Sequence, residues 1–369
     1  MTDRILHAPT TAIPSSRNVH RRPGRAAVGV LTALLVVMVI AAAGTGAVPI
    51  APGQVLAILG ERVGLALPWA FEPQQANVLV AIRLPRVLLG VLVGAALATA
   101  GAALQGLFRN PLADPGLVGV TNGAALAAAA MIVVGHGGLP GPAWQALRPF
   151  ALPLAAFAGG LLTTLVVYRI ARFGPHTVVA TMLLAGVALN ALAAAGTGFL
   201  TFVASDEQLR SITFWYLGSL GGTTWQALVV AGPLLALALA VILRTARPLN
   251  ALLLGEDEAG HVGVEVDRVK RILVVATALA VGAAVSVAGA IGFVGLVTPH
   301  LLRLSIGPDH RTLLPAAAAL GATLLLGADL VARTVVAPAE LPIGIVTAGL
   351  GAPFFLWLLL RDRRRTWAL

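Results

Sequence analysis

Long apolar runs separated by short polar breaks dominate this chain. A bilayer crossing takes about 20 apolar residues. On that measure the runs predict spans at roughly 26–48, 78–107, 116–135, 150–168, 178–203, 224–243, 272–288, 289–302, 313–332 and 343–360. The expected fold is all-α: a polytopic membrane protein with about ten transmembrane helices. The eighth run is short for a full crossing. Gly292, Gly295 and Pro299 inside it point to a broken or half-length helix. Such backbone is tolerated at membrane depth only when buried in protein or lining a cavity. Among the polar breaks, the largest spans Arg247–Arg271. It carries Ala251–Leu254, then Gly255, the acidic Glu256–Glu258, and Gly260 with Gly263. That pattern predicts two short helices separated by turns. Taken alone, the insert is either a solvated loop or a docking surface for another protein.

Two of the apolar runs nearly repeat each other. Val93–Ala102 reads VGAALATAGA and Val281–Ala290 reads VGAAVSVAGA, seven of ten positions being identical at an offset of 188 residues. They fall in the second and seventh spans, which run in opposite directions, so the repeat is inverted. Inverted repeats with substrate handled at their interface are a transporter architecture.

Composition sharpens the class. The chain of 369 residues is 58% hydrophobic and 11% charged, against about 25% charged in soluble domains. It has no cysteine, which excludes disulfides and thiolate metal sites. The net charge of +10 would suit nucleic acid in a soluble protein. In a membrane chain it reads as loop charge facing anionic lipid and the cytoplasm, and no nucleic-acid partner is expected. With a cytoplasmic N-terminus and ten spans, Arg62, Arg83, Arg86, Arg148, Arg210 and Arg333 fall outside. The other 19 of the 25 basic residues fall inside, as the positive-inside rule requires. Both termini are then cytoplasmic. The first apolar run exceeds the ~7–15 residues of a signal peptide, so it reads as an uncleaved span.

Missing chemistry narrows the function. The spans are almost free of acids, whereas ion-coupled carriers keep them at mid-membrane despite the cost. This counts against an ion-coupled secondary transporter. Asp329 is the nearest case, with Arg333 one helical turn on; the pair is either a helix-end ion pair or a proton relay. No G-x-x-x-x-G-K-[ST] phosphate loop occurs, so any ATPase must be another chain. The histidines His7, His20, His136, His176, His261, His300 and His310 are all expected at or beyond membrane edges. A membrane enzyme would cluster His, Asp or Glu at one face. Only His300, Arg303 and His310 group together, and no carboxylate cluster joins them, so neither a catalytic residue nor a metal site is expected.

Four stretches resemble one family. They are RLPRVLLGVLVGAALATAGAALQGLFRNPLADPGLVGVTNGAAL (Arg83–Leu126), LLLGEDEAGHVGV (Leu252–Val264), GAIGFVGLVTPHLLRL (Gly289–Leu304) and ELPIGIVTAGLGAPFFLWLL (Glu340–Leu359). They look like the permeases of type II ABC importers for iron–siderophores, haem and vitamin B12. The wording of FRNPLADPGLVGV and FWYLGSLGG is most similar to haem permeases, with iron–siderophore or cobalamin as the alternative cargo.

The resemblance implies a homodimer with the translocation path on its two-fold axis. It also implies two cytoplasmic ABC ATPase subunits, a periplasmic binding protein, and residence in the bacterial inner membrane among its lipids. No cofactor is expected on this chain: ATP and Mg belong to the partner ATPase, and haem or ferric siderophore is cargo. Residues 1–25 would be a flexible basic arm, 26–361 the permease domain and 362–369 a cytoplasmic tail. By position, Arg83, Arg86 and Arg333 would meet acidic residues of the binding protein, the alternative being snorkelling to lipid headgroups. Arg210 would lie near the outer mouth of the path, holding an anionic cargo or forming a salt bridge to Asp206. Leu112, with Val178 and Val179 after the Pro175 turn, would form the cytoplasmic gate. Leu254, Gly255, Glu256, Asp257, Glu258 and Gly263 would face the ATPase.

Overall fold

The computed structural model describes residues 22–135, 142–174 and 176–366. In chain order the helices are α1 (Arg22–Gly44), α2 (Pro52–Arg62) and α3 (Pro73–Asn77); α3 continues through a π-helical turn, Val78–Arg83, into α4 (Leu84–Leu107). A 3-10 turn at Pro115–Val118 precedes α5 (Val120–Val134) and α6 (Pro142–Ile170). A small hairpin, β1 (Arg172–Phe173) and β2 (His176–Thr177), leads to α7 (Val179–Val203), α8 (Asp206–Leu217) and α9 (Trp225–Arg244). The insert forms α10 (Ala246–Leu252) and α11 (Glu256–His261). Then follow α12 (Val266–Ala288), α13 (Val294–Ile306), α14 (His310–Thr334) and α15 (Ile343–Thr366). The hairpin is antiparallel, with Arg172 opposite Thr177 and Phe173 opposite His176.

Every expected span contains a helix. Seven helices are long and apolar enough to cross a membrane, while α5, α13 and the apolar Ile343–Trp357 part of α15 are shorter. The eighth run is broken as expected. Gly289 and Phe293 take positive φ values of 69° and 68°, and the helix starts only at Val294. The irregular stretch is shielded by protein. Ser219 N–H donates to the Ala288 carbonyl at 2.8 Å, and Ile343 N–H to that of Gly218 at 3.0 Å. The insert forms two short helices, with Gly255 and Gly263 at φ 141° and 85° in the turns that flank α11. Residues 1–21 of the expected basic arm, with His7 and His20, lie outside the described residues, as do His136, Pro175 and the last three residues. The first helix begins at Arg22, inside the segment read as an arm, and α15 continues to Thr366, inside the segment read as a tail.

The core centres on α4, which is buried without interruption from Val93 to Leu107. Its small residues explain this. Gly94 lies against the backbone of Gly321 in α14, and Gly101 against the backbone of Gly295 in α13. A Cβ at Gly94 would sit 2.5 Å from the Gly321 carbonyl oxygen. Without a hydrophobic drive between helices in lipid, such close packing is what holds them together. The two copies of the internal repeat lie in α4 and at the end of α12, which pack side by side. Leu220, next to the Ser219 that bonds the end of α12, touches Gly90 near the start of α4. The copies therefore run in opposite directions. Around this core, large apolar side chains such as Leu162, Leu184, Leu192, Phe199 and Phe202 are exposed.

His300 sits in the interior of α13, which starts only after the irregular stretch.

Candidate functional site

The bundle has two polar ends. At one, Arg83, Arg86 and Arg333 converge, but they turn inward. Arg83 donates to the carbonyls of Ala43 at 2.9 Å, Gly44 at 2.8 Å and Val48. Arg333 donates to those of Ala42 at 2.6 Å and Thr45 at 3.0 Å. Ala42, Ala43 and Gly44 end α1, where no intrahelical N–H reaches the last carbonyls and where the helix dipole favours a cation. Arg86 is held by two acids. Its Nε and Nη2 donate to Asp329 Oδ1 at 3.0 and 2.8 Å, and its Nη1 and Nη2 to the Glu340 carboxylate at 2.8 and 3.0 Å.

All three guanidinium groups thus already have partners within the chain. A buried charge must be paired and hydrogen-bonded, and here α1, α14 and the Glu340 loop supply the partners. The Asp329–Arg333 ion pair does form, at 3.6 Å, yet Arg86 is the nearer partner of this wholly buried acid. Glu340 remains 42% exposed at its side chain. The hydrogen bonds from Arg86 hold its carboxyl below the usual range.

Arg210 lies on α8, whose N-terminus is capped by Ser205 accepting from Gln208 N–H. The Arg210 side chain is exposed, and its Nε donates to the Asp206 backbone carbonyl at 3.4 Å. Among the described residues it makes no ion pair, so the alternative salt bridge to the Asp206 carboxylate does not form. Phe214 and Tyr216 are exposed on the same helix.

The opposite end carries the insert. Gly255 takes a φ that side chains rarely adopt, and a Cβ there would collide with the Glu258 carboxylate. Leu253, Leu254 and Val262 are exposed beside the exposed Asp257 and Glu258: an apolar patch rimmed by acid, suited to a protein partner. Behind it lies a cleft of about 450 Å³ lined by Val178, Val179, Glu256, Asp257, Asp267 and Lys270, among others. The expected gate valines therefore share one cleft with two of the three expected coupling acids, Glu256 and Asp257.

Lys270 ties them together. It is 4% exposed, and its Nζ donates to Glu256 Oε2 at 2.7 Å and to the Thr177 carbonyl at 3.0 Å. Asp267 accepts from Thr177 N–H at 3.1 Å and pairs with His176 at 3.1 Å. Lys270 was missed by sequence reasoning, although a signal was present. It falls in phase with Val266, Val269 and Leu273, the apolar stripe of α12, where a lysine needs a partner. Leu112 is not part of this cleft. It sits exposed on the link after α4, its N–H donating to Asn110 Oδ1 at 2.9 Å. Among the described residues, no group of three or more His, Cys, Asp or Glu could hold a metal ion.

A helical membrane bundle with a broken helix at its core and a polar two-helix insert at one end is the build of a multi-pass membrane permease. The FecCD transport family matches residues 34–361, and the chain belongs to that family. It is 49% identical over 293 residues to the hemin transport system permease protein HmuU of Yersinia pestis, covering 77% of this chain and 83% of that one. It is 47% identical over 321 residues to the cobalamin import system permease protein BtuC of Halobacterium salinarum, covering 86% and 83%. It is 48% identical over 284 residues to the vitamin B12 import system permease protein BtuC of Klebsiella pneumoniae, covering 77% and 82%. A solved structure described as a metal-chelate type ABC transporter in an inward-facing conformation superposes with a TM-score of 0.78 at 31% identity, covering 91% of this chain and 99% of that one. The chain is the permease of a type II ABC importer, a multi-pass inner-membrane protein.

Proposed function

We propose that this chain moves haem from a periplasmic binding protein into the cytoplasm, as one half of a homodimer driven by two partner ATPase subunits that bind ATP and Mg. The observation that carries the ATP-driven reading is the cleft that joins the insert to the foot of α7. Leu254, Gly255–Glu258 and Gly263 dock on the ATPase at the cytoplasmic end. Movement of the insert passes through Glu256 and Lys270 to Thr177, and so to Val178 and Val179. Those valines, with Leu112 from the neighbouring loop, form an apolar constriction that closes by dewetting.

At the periplasmic end, Arg83 and Arg333 fix α1 while Arg86 reaches a carboxylate of the binding protein by exchange with the half-exposed Glu340. Arg210 faces the cargo, where its guanidinium suits a carboxylate such as a haem propionate. Haem is favoured by the likeness to the hemin permease. Cobalamin is the second reading, favoured by relatives of nearly equal identity. A ferric siderophore remains an alternative cargo of the same machine.

Uptake in proteoliposomes tests this. The chain is reconstituted with its ATPase, and haem, cobalamin and a ferric siderophore are offered on their cognate binding proteins. ATP-dependent accumulation of haem alone is the expected result. Accumulation of cobalamin or siderophore alone overturns the haem reading. Gradient-driven uptake without the ATPase overturns the ATP-driven one.

A further inference from the structure

One outward face of the bundle carries chemistry that transport does not use. Between α9 and α12 runs a groove of about 550 Å³. Its floor is Ala238 and Ala276, both buried, and its walls include Leu237, Ile272, Val275 and Leu279. Two arginines, Arg268 and Arg271, stand at its insert end. From Arg268 to Leu279 the groove follows three turns of α12, roughly 16 Å at 1.5 Å per residue.

A second crevice, of about 20 Å³, lies on the other side of α12 against Leu161, Leu165 and Tyr168 of α6, and Arg271 and Val275 line both. It holds little more than a water molecule, so the α9–α12 groove is the one with room for a hydrocarbon chain.

The charges around the insert end are accounted for. Arg268 makes only an exposed contact to Glu265 at 3.4 Å. Asp267 points away, to Thr177 and His176. Arg271 is exposed and has no hydrogen-bond or ion-pair partner among the described residues. An unpaired guanidinium above an apolar groove matches a molecule with an anionic phosphate and a hydrocarbon chain. Guanidinium pairs bidentately with phosphate, and basic pockets between transmembrane helices on the cytoplasmic side bind anionic lipid headgroups.

We propose that α12 carries a binding site for an anionic phospholipid. Arg268 and Arg271 hold its phosphate, and one acyl chain lies in the α9–α12 groove. The proposal does not depend on which cargo is carried.

Native mass spectrometry of the full chain, purified in detergent and titrated with dioleoyl phosphatidylglycerol, dioleoyl phosphatidylcholine or inorganic phosphate, tests it. Two variants separate head from tails. R268Q/R271Q removes the phosphate ligands at exposed positions. V275W keeps both arginines and fills the α9–α12 groove. Phosphatidylglycerol is expected to bind the wild type, and R268Q/R271Q roughly 30-fold more weakly, the loss of two surface arginines at about 1 kcal/mol each. V275W should also lose it. Equal binding of phosphatidylcholine, or wild-type retention of phosphatidylglycerol by either variant, overturns the site. Displacement of the lipid by inorganic phosphate at equal concentration shows a headgroup-only contact and overturns the acyl groove.

Discussion

Replacing Lys270 by Met removes the one side chain that bonds both the insert and the foot of α7. Methionine keeps the unbranched stem and fills the space with a flexible apolar side chain, so the change is chiefly the loss of a charge. Two bonds disappear, at 2.7 Å to Glu256 and at 3.0 Å to the Thr177 carbonyl. Breaking a fully buried ion pair costs about 3–5 kcal/mol, and a hydrogen bond to a charged group contributes about 1.5–3 kcal/mol. The Glu256 side chain is 42% exposed, so its freed carboxylate rehydrates and the lower range applies. A loss of about 2 kcal/mol raises the population in which insert and hairpin are detached roughly 30-fold. In the reconstituted complex, K270M should continue to hydrolyse ATP while cargo moved per ATP falls about tenfold or more. The E256Q/K270M double variant should be no worse than K270M, because both changes cut one link. Unchanged cargo per ATP in K270M, or full additivity in the double variant, would refute the reasoning.

The remaining predictions concern the packing and the opposite end. R86M leaves Asp329 buried with Arg333 3.6 Å away as its remaining cation, and thermal unfolding in detergent should show a loss of about 3–5 kcal/mol, partly recovered in R86M/D329N. Gly→Ala inside a helix ordinarily stabilises by about 1 kcal/mol, but G101A drives a methyl into the Gly295 carbonyl, so size-exclusion chromatography should show loss of the monodisperse species; a more stable G101A would contradict the packing. G255A strains the φ of 141° and should lower cargo per ATP while leaving binding-protein affinity unchanged. The hydrogen bonds from Arg86 hold the Glu340 carboxyl below its ordinary pKa of 4.5, so its contribution is complete above that pH and is lost as pH falls through the folded value. Wild type should therefore exceed E340Q in thermal stability at neutral pH, and a gap that stays the same on acidification to full protonation of the carboxyl would count against the Arg86–Glu340 pair.

The spans were legible because hydrocarbon leaves the backbone few alternatives to the helix, and apolar length alone then locates each one. Even the broken eighth span announced itself through Gly292, Gly295 and Pro299. The interfacial α2 and α8 were not read because neither forms a long apolar run, although Ser205 with Gln208 already spells a capping box. The hairpin before α7 was invisible, since strands of two residues carry no period. The arginines show the deeper limit. Arg83, Arg86 and Arg333 stood out as basic residues at span ends, and their common location was read correctly. Their inward turn could not be, because the acceptors of Arg83 and Arg333 are main-chain carbonyls of Ala42–Val48, which any residue type would supply. The acids that hold Arg86 follow it by 243 and 254 residues.

The two polar ends are built to different strengths, and this bears on how such a bundle moves. At the Arg86 end the links run through a carboxylate that is 1% exposed, Asp329, through carbonyls at the end of α1, and through Glu340, whose side chain is 42% exposed. Releasing Asp329 or the carbonyls strands a buried charge, so α1, α4 and α14 behave there as one body even when Glu340 lets go. At the insert end the carboxylates are Glu256 and Asp267, whose side chains are 42% and 31% exposed. Both recover water when released, and Lys270 is the one group left buried, so this end opens at lower cost. A conformational step driven from outside the chain follows the cheaper opening. Motion should therefore concentrate where the insert meets α7, with the arginine-held end as the fixed frame. That asymmetry is also why one buried lysine can matter more than three buried arginines: Lys270 spans the joint that opens, whereas Arg83, Arg86 and Arg333 hold the part that does not.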